Sequence, residues 1–162
     1  MSDDAVNGGL RSSRRIVLIG SMGAYHQVLE VARQLNAAGI QSVVPDAEDE
    51  SVRQMTLFEF EDFKRRVSFA HLRRIRDPRT YCVLAVNPDR HGILNYLGPN
   101  TFAEIAVAFA QSKKIYLLQG QPDAYADELS AWRSISLLGH LQKLVADFQQ
   151  DCMLEDPQKR LF

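Results

Sequence analysis

Residues 81–118 constrain the fold of this chain more than any other stretch. An apolar run, Tyr81-Cys-Val-Leu-Ala-Val86, leads into a segment rich in Gly, Pro, Asn and Asp. The apolar Ile105-Ala-Val-Ala-Phe-Ala110 follows, and then a second run, Ile115-Tyr-Leu-Leu118. The first run has no polar alternation, so it reads as a strand buried on both faces, as parallel strands are. The middle reads as a polar loop leaving the C-terminal end of that strand and entering a helix that returns the chain to the next strand. In open α/β sheets ligands bind at such loops. The one acid within the helical part, Glu104, sits at the mouth of a buried helix and is the leading candidate for chemistry.

The rest of the chain repeats this alternation. Residues 16–19 form a β-branched run ended by Gly20-Ser-Met-Gly23. Tyr25, Val28, Leu29, Ala32 and Leu35 then recur at helical spacing before Gly39, and residues 41–45 make a second strand. Residues 46–50 are acidic and read as a loop or lid. A long helix is expected over 55–75, broken by Asp77-Pro78. A turn at 119–122, a short helix over 125–132, a strand at 135–138 and an amphipathic helix carrying Leu141, Leu144, Val145 and Phe148 complete the pattern. This order predicts a flavodoxin-like, Rossmann-like three-layer α/β sandwich with a mostly parallel sheet of about five strands. The chain of 162 residues suffices for one core. The expected domain is 14–150, between a disordered segment 1–13 and a polar tail 151–162.

Charge and composition narrow the partners. A net charge of −1 gives no global attraction to nucleic acid or to an anionic surface. No apolar run approaches the roughly 20 residues of a membrane span. The two cysteines, Cys82 and Cys152, make no disulfide framework, so the expected location is cytoplasmic. The helix over 55–75 sets Phe60, Phe63, Val67, His71 and Ile75 near one stripe, with Lys64, Arg65, Arg66, Arg73, Arg74 and Arg76 opposite. That basic face reads as solvated, and nucleic-acid binding is the weakest of the readings. With Phe58, the helix has more aromatic surface than a small monomer has partners for, so a homodimer is expected. His26, His71, His91 and His140 are scattered, without metal-ligand spacing; no metal and no cofactor are expected.

Three features admit two readings each. The turn Gly20, Ser21, Met22, Gly23 can contact a ligand or be a plain tight turn, since Gly-x-x-Gly lacks the further residues of a P-loop or dinucleotide motif. His71 can be a core histidine or a site residue. Thr101-Phe-Ala-Glu104 has the spacing of a capping box, and spacing alone favours that reading over a catalytic one.

Gly98-Pro-Asn-Thr-Phe-Ala-Glu104-Ile-Ala-Val-Ala, with the following Lys114-Ile-Tyr-Leu-Leu, resembles the signature of the nucleoside 2-deoxyribosyltransferase superfamily, which includes the 2'-deoxynucleoside 5'-phosphate N-hydrolases. The likeness covers residues 81–118 and continues, in the same order, from residue 16. It implies that Glu104 is the nucleophile in cleavage or transfer at an N-glycosidic bond of a nucleoside or nucleoside 5'-monophosphate. It also implies that His71 stands where the family places an acid, and that Tyr96 stacks on a ring or hydrogen-bonds the nucleophile. Asn87, Asp89, Asn95, Gly98, Asn100 and Thr101 are the polar groups expected around the substrate, and the Gly20 to Gly23 turn is the natural seat for a 5'-phosphate. A carboxylate suits this chemistry because the transition state has oxocarbenium character. The family's better-known members carry Asp-x-Gly-Thr-x-x-Glu or Gly-x-Gly-x-Glu before the helix, a pattern this chain departs from. The alternative on the same scaffold is a non-catalytic nucleotide-binding sensor.

Overall fold

The computed structural model describes residues 13–47 and 50–155. The segment 1–12 and the last seven residues of the expected tail lie outside the described residues. Strands β1 (Arg15–Gly20), β2 (Gln41–Val43), β3 (Thr80–Val86), β4 (Lys114–Leu117) and β5 (Ile135–Ser136) form one sheet in the order β2-β1-β3-β4-β5. All neighbouring pairs are parallel, so the expected flavodoxin-like three-layer sandwich is present with an entirely parallel sheet.

The period of two along the strands divides the core into two layers. Ile16, Leu18, Leu84 and Val86 pack with Val28, Val31 and Leu35 of α1 (Tyr25–Ala37) and with Leu144 and Phe148 of α5 (Gln142–Glu155). Val17, Ile19, Val83 and Ala85 pack with Ile75 of α2 (Leu57–Arg76), Ile105 and Ala108 of α3 (Pro99–Ala110) and Leu129 of α4 (Ala126–Ala131). These strand side chains are essentially fully buried, and each larger aliphatic among them stabilises the fold by about 1.5–3 kcal/mol.

Two boundaries differ from expectation. β5 is only two residues long, because the chain turns away at Leu138, which has φ 51° and is exposed. The last helix passes residue 150 to Glu155, and Asp151 accepts hydrogen bonds from the Tyr81 hydroxyl at 2.5 Å and Lys114 Nζ at 2.8 Å. The start of the expected tail is therefore tied to the sheet.

The relative reach of α2 and α3 shapes the functional end. Lys113 Nζ donates to the Asp77 carbonyl at 3.0 Å, which puts the C-terminal ends of the two helices level. Twenty residues against twelve, at 1.5 Å per residue, leave α2 standing roughly 12 Å beyond the start of α3. The same count puts Lys64 beside the first turn of α3 and His71 beside Glu104.

Candidate active site at the α2–α3 seam

Glu104 is the sixth residue of α3, which starts at Pro99 with Gly98 as its N-cap and without any side-chain capping bond. Proline at the first helical position has the right φ and no N–H to leave unsatisfied. Thr101 and Glu104 thus occupy the third and sixth helical positions, too far inside for a capping box. That box forms at the start of α2 instead: Glu59 N–H donates to Thr56 Oγ1 at 3.2 Å, and Thr56 N–H donates to Glu59 Oε2 at 3.0 Å.

Across the seam, Glu104 Oε1 lies 3.7 Å from His71 Nε2. This is a close contact longer than a hydrogen bond. His71 is 6% exposed, and neither ring nitrogen has a hydrogen-bond partner among the described residues. Burial pushes the Glu104 carboxyl up to about 7, with Lys64 pulling the other way. Burial, and then the Arg74 charge, hold His71 below its ordinary value, against a smaller pull from Asp46. Both effects favour neutral forms, so the pair is not an ion pair near neutral pH. Lys64, expected on the solvated face of α2, is half-buried and two turns before His71, close enough for its charge to reach Glu104.

The remaining expected residues line the C-terminal ends of β1 and β3, where Gly20 is level with Val86. The sheet order reverses here, since β1 leads outward to β2 and β3 leads the opposite way to β4. Asn87 is fully buried. Its Nδ2 donates to the carbonyls of Gly120 at 2.8 Å and Asn95 at 3.3 Å, and its Oδ1 accepts from Gln119 N–H at 3.0 Å. It clamps the loops after β3 and β4 together, and its polar atoms are occupied by backbone. Asp89 Oδ1 accepts from Asn95 N–H at 2.9 Å, while Asn95, at φ 54°, donates to the Gln121 carbonyl at 3.5 Å. These three residues shape the loop that delivers Tyr96.

Tyr96 is half-buried, edge-on to His91 with ring centroids 5.2 Å apart, and its hydroxyl lies beside Gly98 at the head of α3. Asn100 is exposed on the first turn of α3 and Thr101 is buried. The structure therefore brings Glu104 and His71 together, places Tyr96, Gly98, Asn100 and Thr101 at the helix mouth above them, and assigns Asn87 to the scaffold.

Sequence reading gave Arg90 no role. Its Nη1 donates to Ser21 Oγ at 2.9 Å, and its guanidinium lies directly against Gly23. An arginine in a turn has no spacing signature; a Cβ at Gly23 would meet the flexible guanidinium end of Arg90, which would have to shift.

Among the described residues no group of three or more metal-ligating side chains converges, and no helix is long and apolar enough to cross a membrane. No protein-family model, curated protein or solved structure matches the chain.

Proposed function

We propose that the chain cleaves or transfers at the N-glycosidic bond of a deoxynucleoside or its 5'-monophosphate, with Glu104 as nucleophile. The observation that carries this reading is the Glu104–His71 pair: a half-buried carboxylate that, among the described residues, has no hydrogen bond or cation fixed to it, 3.7 Å from a buried imidazole with neither nitrogen hydrogen-bonded to a described residue. Ordinary folding gives buried polar groups partners, and a pair left unsatisfied at a helix seam is arranged for something other than stability.

In this scheme ionised Glu104 attacks C1' as the C1'–N bond breaks, and the bonding pair leaves with the base, which takes a proton from solvent. Water, or an acceptor base in a transferase, then attacks C1' and releases the carboxylate. In the hydrolytic case neutral His71 accepts the proton of the attacking water and returns it to solvent. Tyr96, at the helix mouth, offers a ring face to the base. The active unit is a homodimer built through the overhanging part of α2, where Leu57 and Phe58 are exposed.

One observation favours the nucleotide-sensor alternative. With its carboxyl raised to about 7, Glu104 is half neutral at that pH, and a neutral carboxyl donates a hydrogen bond to a bound base instead of attacking. Incubation with a panel of deoxynucleosides and their 5'-monophosphates, followed by chromatography for free base, separates the two. Base release supports the enzyme; saturable binding without base release supports the sensor and overturns the enzyme.

A further inference from the structure

At the N-terminal ends of β3 and β4, away from the switch point, lies a cluster that the glycosidic scheme does not use. α5 turns Leu144, Val145, Phe148 and Cys152, a stripe at helical spacing, toward the core layer that contains Cys82 of β3. Asp151 sets the helix on the strands there. Its Oδ2 accepts from the Tyr81 hydroxyl at 2.5 Å and from Lys114 Nζ at 2.8 Å. Tyr81 precedes Cys82 in the chain, and Lys114 is the cross-strand partner of Cys82. One turn earlier, the Phe148 ring meets the Tyr81 ring edge-on with centroids 5.2 Å apart, and Asp147 accepts from the Tyr116 hydroxyl at 2.8 Å. Residues 147, 148 and 151 are thus each tied to the sheet within two residues of Cys82 or of Lys114. Cys152, the next member of the stripe after Phe148, is delivered to the same place.

The two cysteines of the chain, 70 positions apart, therefore share one seam, both as thiols. They differ in access, since Cys82 is fully buried and Cys152 only partly so. Burial pushes the Cys82 thiol well above its ordinary value; Lys114 pulls the other way, and Cys152 raises it, which puts the two groups within electrostatic reach of each other. A buried cysteine alone is a small hydrophobe. A solvent-accessible thiol with a second one beneath it is the arrangement of an attacking and a resolving cysteine.

We propose that Cys152 and Cys82 are a redox modification site, at which a hydroperoxide drives a reversible disulfide that staples α5 to β3. The Cys152 thiolate attacks one oxygen of the hydroperoxide and the O–O bond breaks. The other oxygen leaves and takes up a proton, as water from hydrogen peroxide or as an alcohol from an organic hydroperoxide, and Cys152 is left as a sulfenic acid. The Cys82 sulfur then attacks the Cys152 sulfur; the S–O bond breaks, and the hydroxyl leaves as water with the Cys82 proton. The two thiols together lose two electrons, which reduce the hydroperoxide. An external thiol reverses the step by exchange. The site is separate from Glu104, and its chemistry does not depend on whether the chain cleaves a glycosidic bond.

The test treats the reduced full chain with a small excess of hydrogen peroxide and follows intact mass, a peptide digest and melting. The expected product has lost two hydrogens per chain, has gained no oxygen, runs as a monomer on a non-reducing gel, yields a peptide pair linked through Cys82 and Cys152, and reverts with dithiothreitol. Linking residues this far apart constrains the unfolded chain, so the oxidised form should melt about 5 °C or more above the reduced form. Cys152→Ser should leave Cys82 unmodified at the same dose and abolish the melting shift. Cys82→Ala should accumulate oxygen adducts on Cys152; should it fail to fold, Cys152→Ser, altered at a partly exposed position, carries the comparison. An unchanged wild-type mass, oxygen adducts on Cys152 with Cys82 still a thiol, a disulfide between chains, or a linked product that melts no higher than the reduced chain would each overturn the proposal.

Discussion

A carboxylate in a helix seam is destabilising when ionised, and the sign of that effect is measurable. The Glu104 pKa is raised from 4.5 to about 7, so the folded state holds its proton more tightly than the unfolded state. The corresponding stability is fully present below about 4.5 and is lost as pH rises through 7; above that, the ionised group costs on the order of 3 kcal/mol. Glu104→Gln should therefore raise the urea midpoint at about pH 8 and change it little at about pH 5. An unchanged or lowered midpoint at the higher pH would contradict the burial assigned to this residue. Because Glu104 must be ionised to act as the proposed nucleophile, base release under that proposal should rise with pH through about 7 and level off above it. A rate that falls through the same range would make Glu104 a general acid. Glu104 was legible in the sequence as the single acid between an Asn-rich loop and an apolar helix. The raised pKa was not, because it comes from burial of the side chain in the assembled seam, against the opposing pull of Lys64 forty residues earlier in the chain.

The same four-residue string shows what spacing can decide and what it cannot. Thr-x-x-Glu occurs at Thr56–Glu59 and at Thr101–Glu104, and only the first is a cap. The position of the helix start separates them, and Pro99 was the available signal for the second. Thr56→Ala should cost about 1 kcal/mol, read by chemical denaturation; no loss would mean the box does not hold α2. The long reach of α2 was legible in its periodicity. That it stands beyond α3, with Leu57 at 74% and Phe58 at 79% exposed, required the three-dimensional register of the two helices. Burying that overhang across a two-fold axis is the expected use of it. Light scattering at micromolar concentration should give twice the chain mass of 18.3 kDa, and Phe58→Asp should give the monomer. A monomeric wild type would contradict the dimer.

For the whole molecule, the alternation of apolar runs and helical periods was enough to specify five strands and the layers around them, because each element's pattern matches its place in the sheet. The strand order could not be read in the same way, since it depends on which crossovers pack side by side. That order creates the switch point, and the switch point brings Arg90 to Gly23 and Ser21, 67 and 69 positions before it in the chain. Asn87 looked like a ligand group for the same reason that it makes a good clamp: an amide at a strand's end can satisfy several backbone groups at once. Under the proposed function this scaffold presents Glu104 to an anomeric carbon. The most direct test compares base release and ligand affinity of the wild type with those of Glu104→Gln at about pH 8, where the wild-type carboxyl is mostly ionised. Loss of turnover on the order of a thousandfold, with affinity little changed and the fold intact, is the predicted result. A normally folded Glu104→Gln that releases base at the wild-type rate would contradict it.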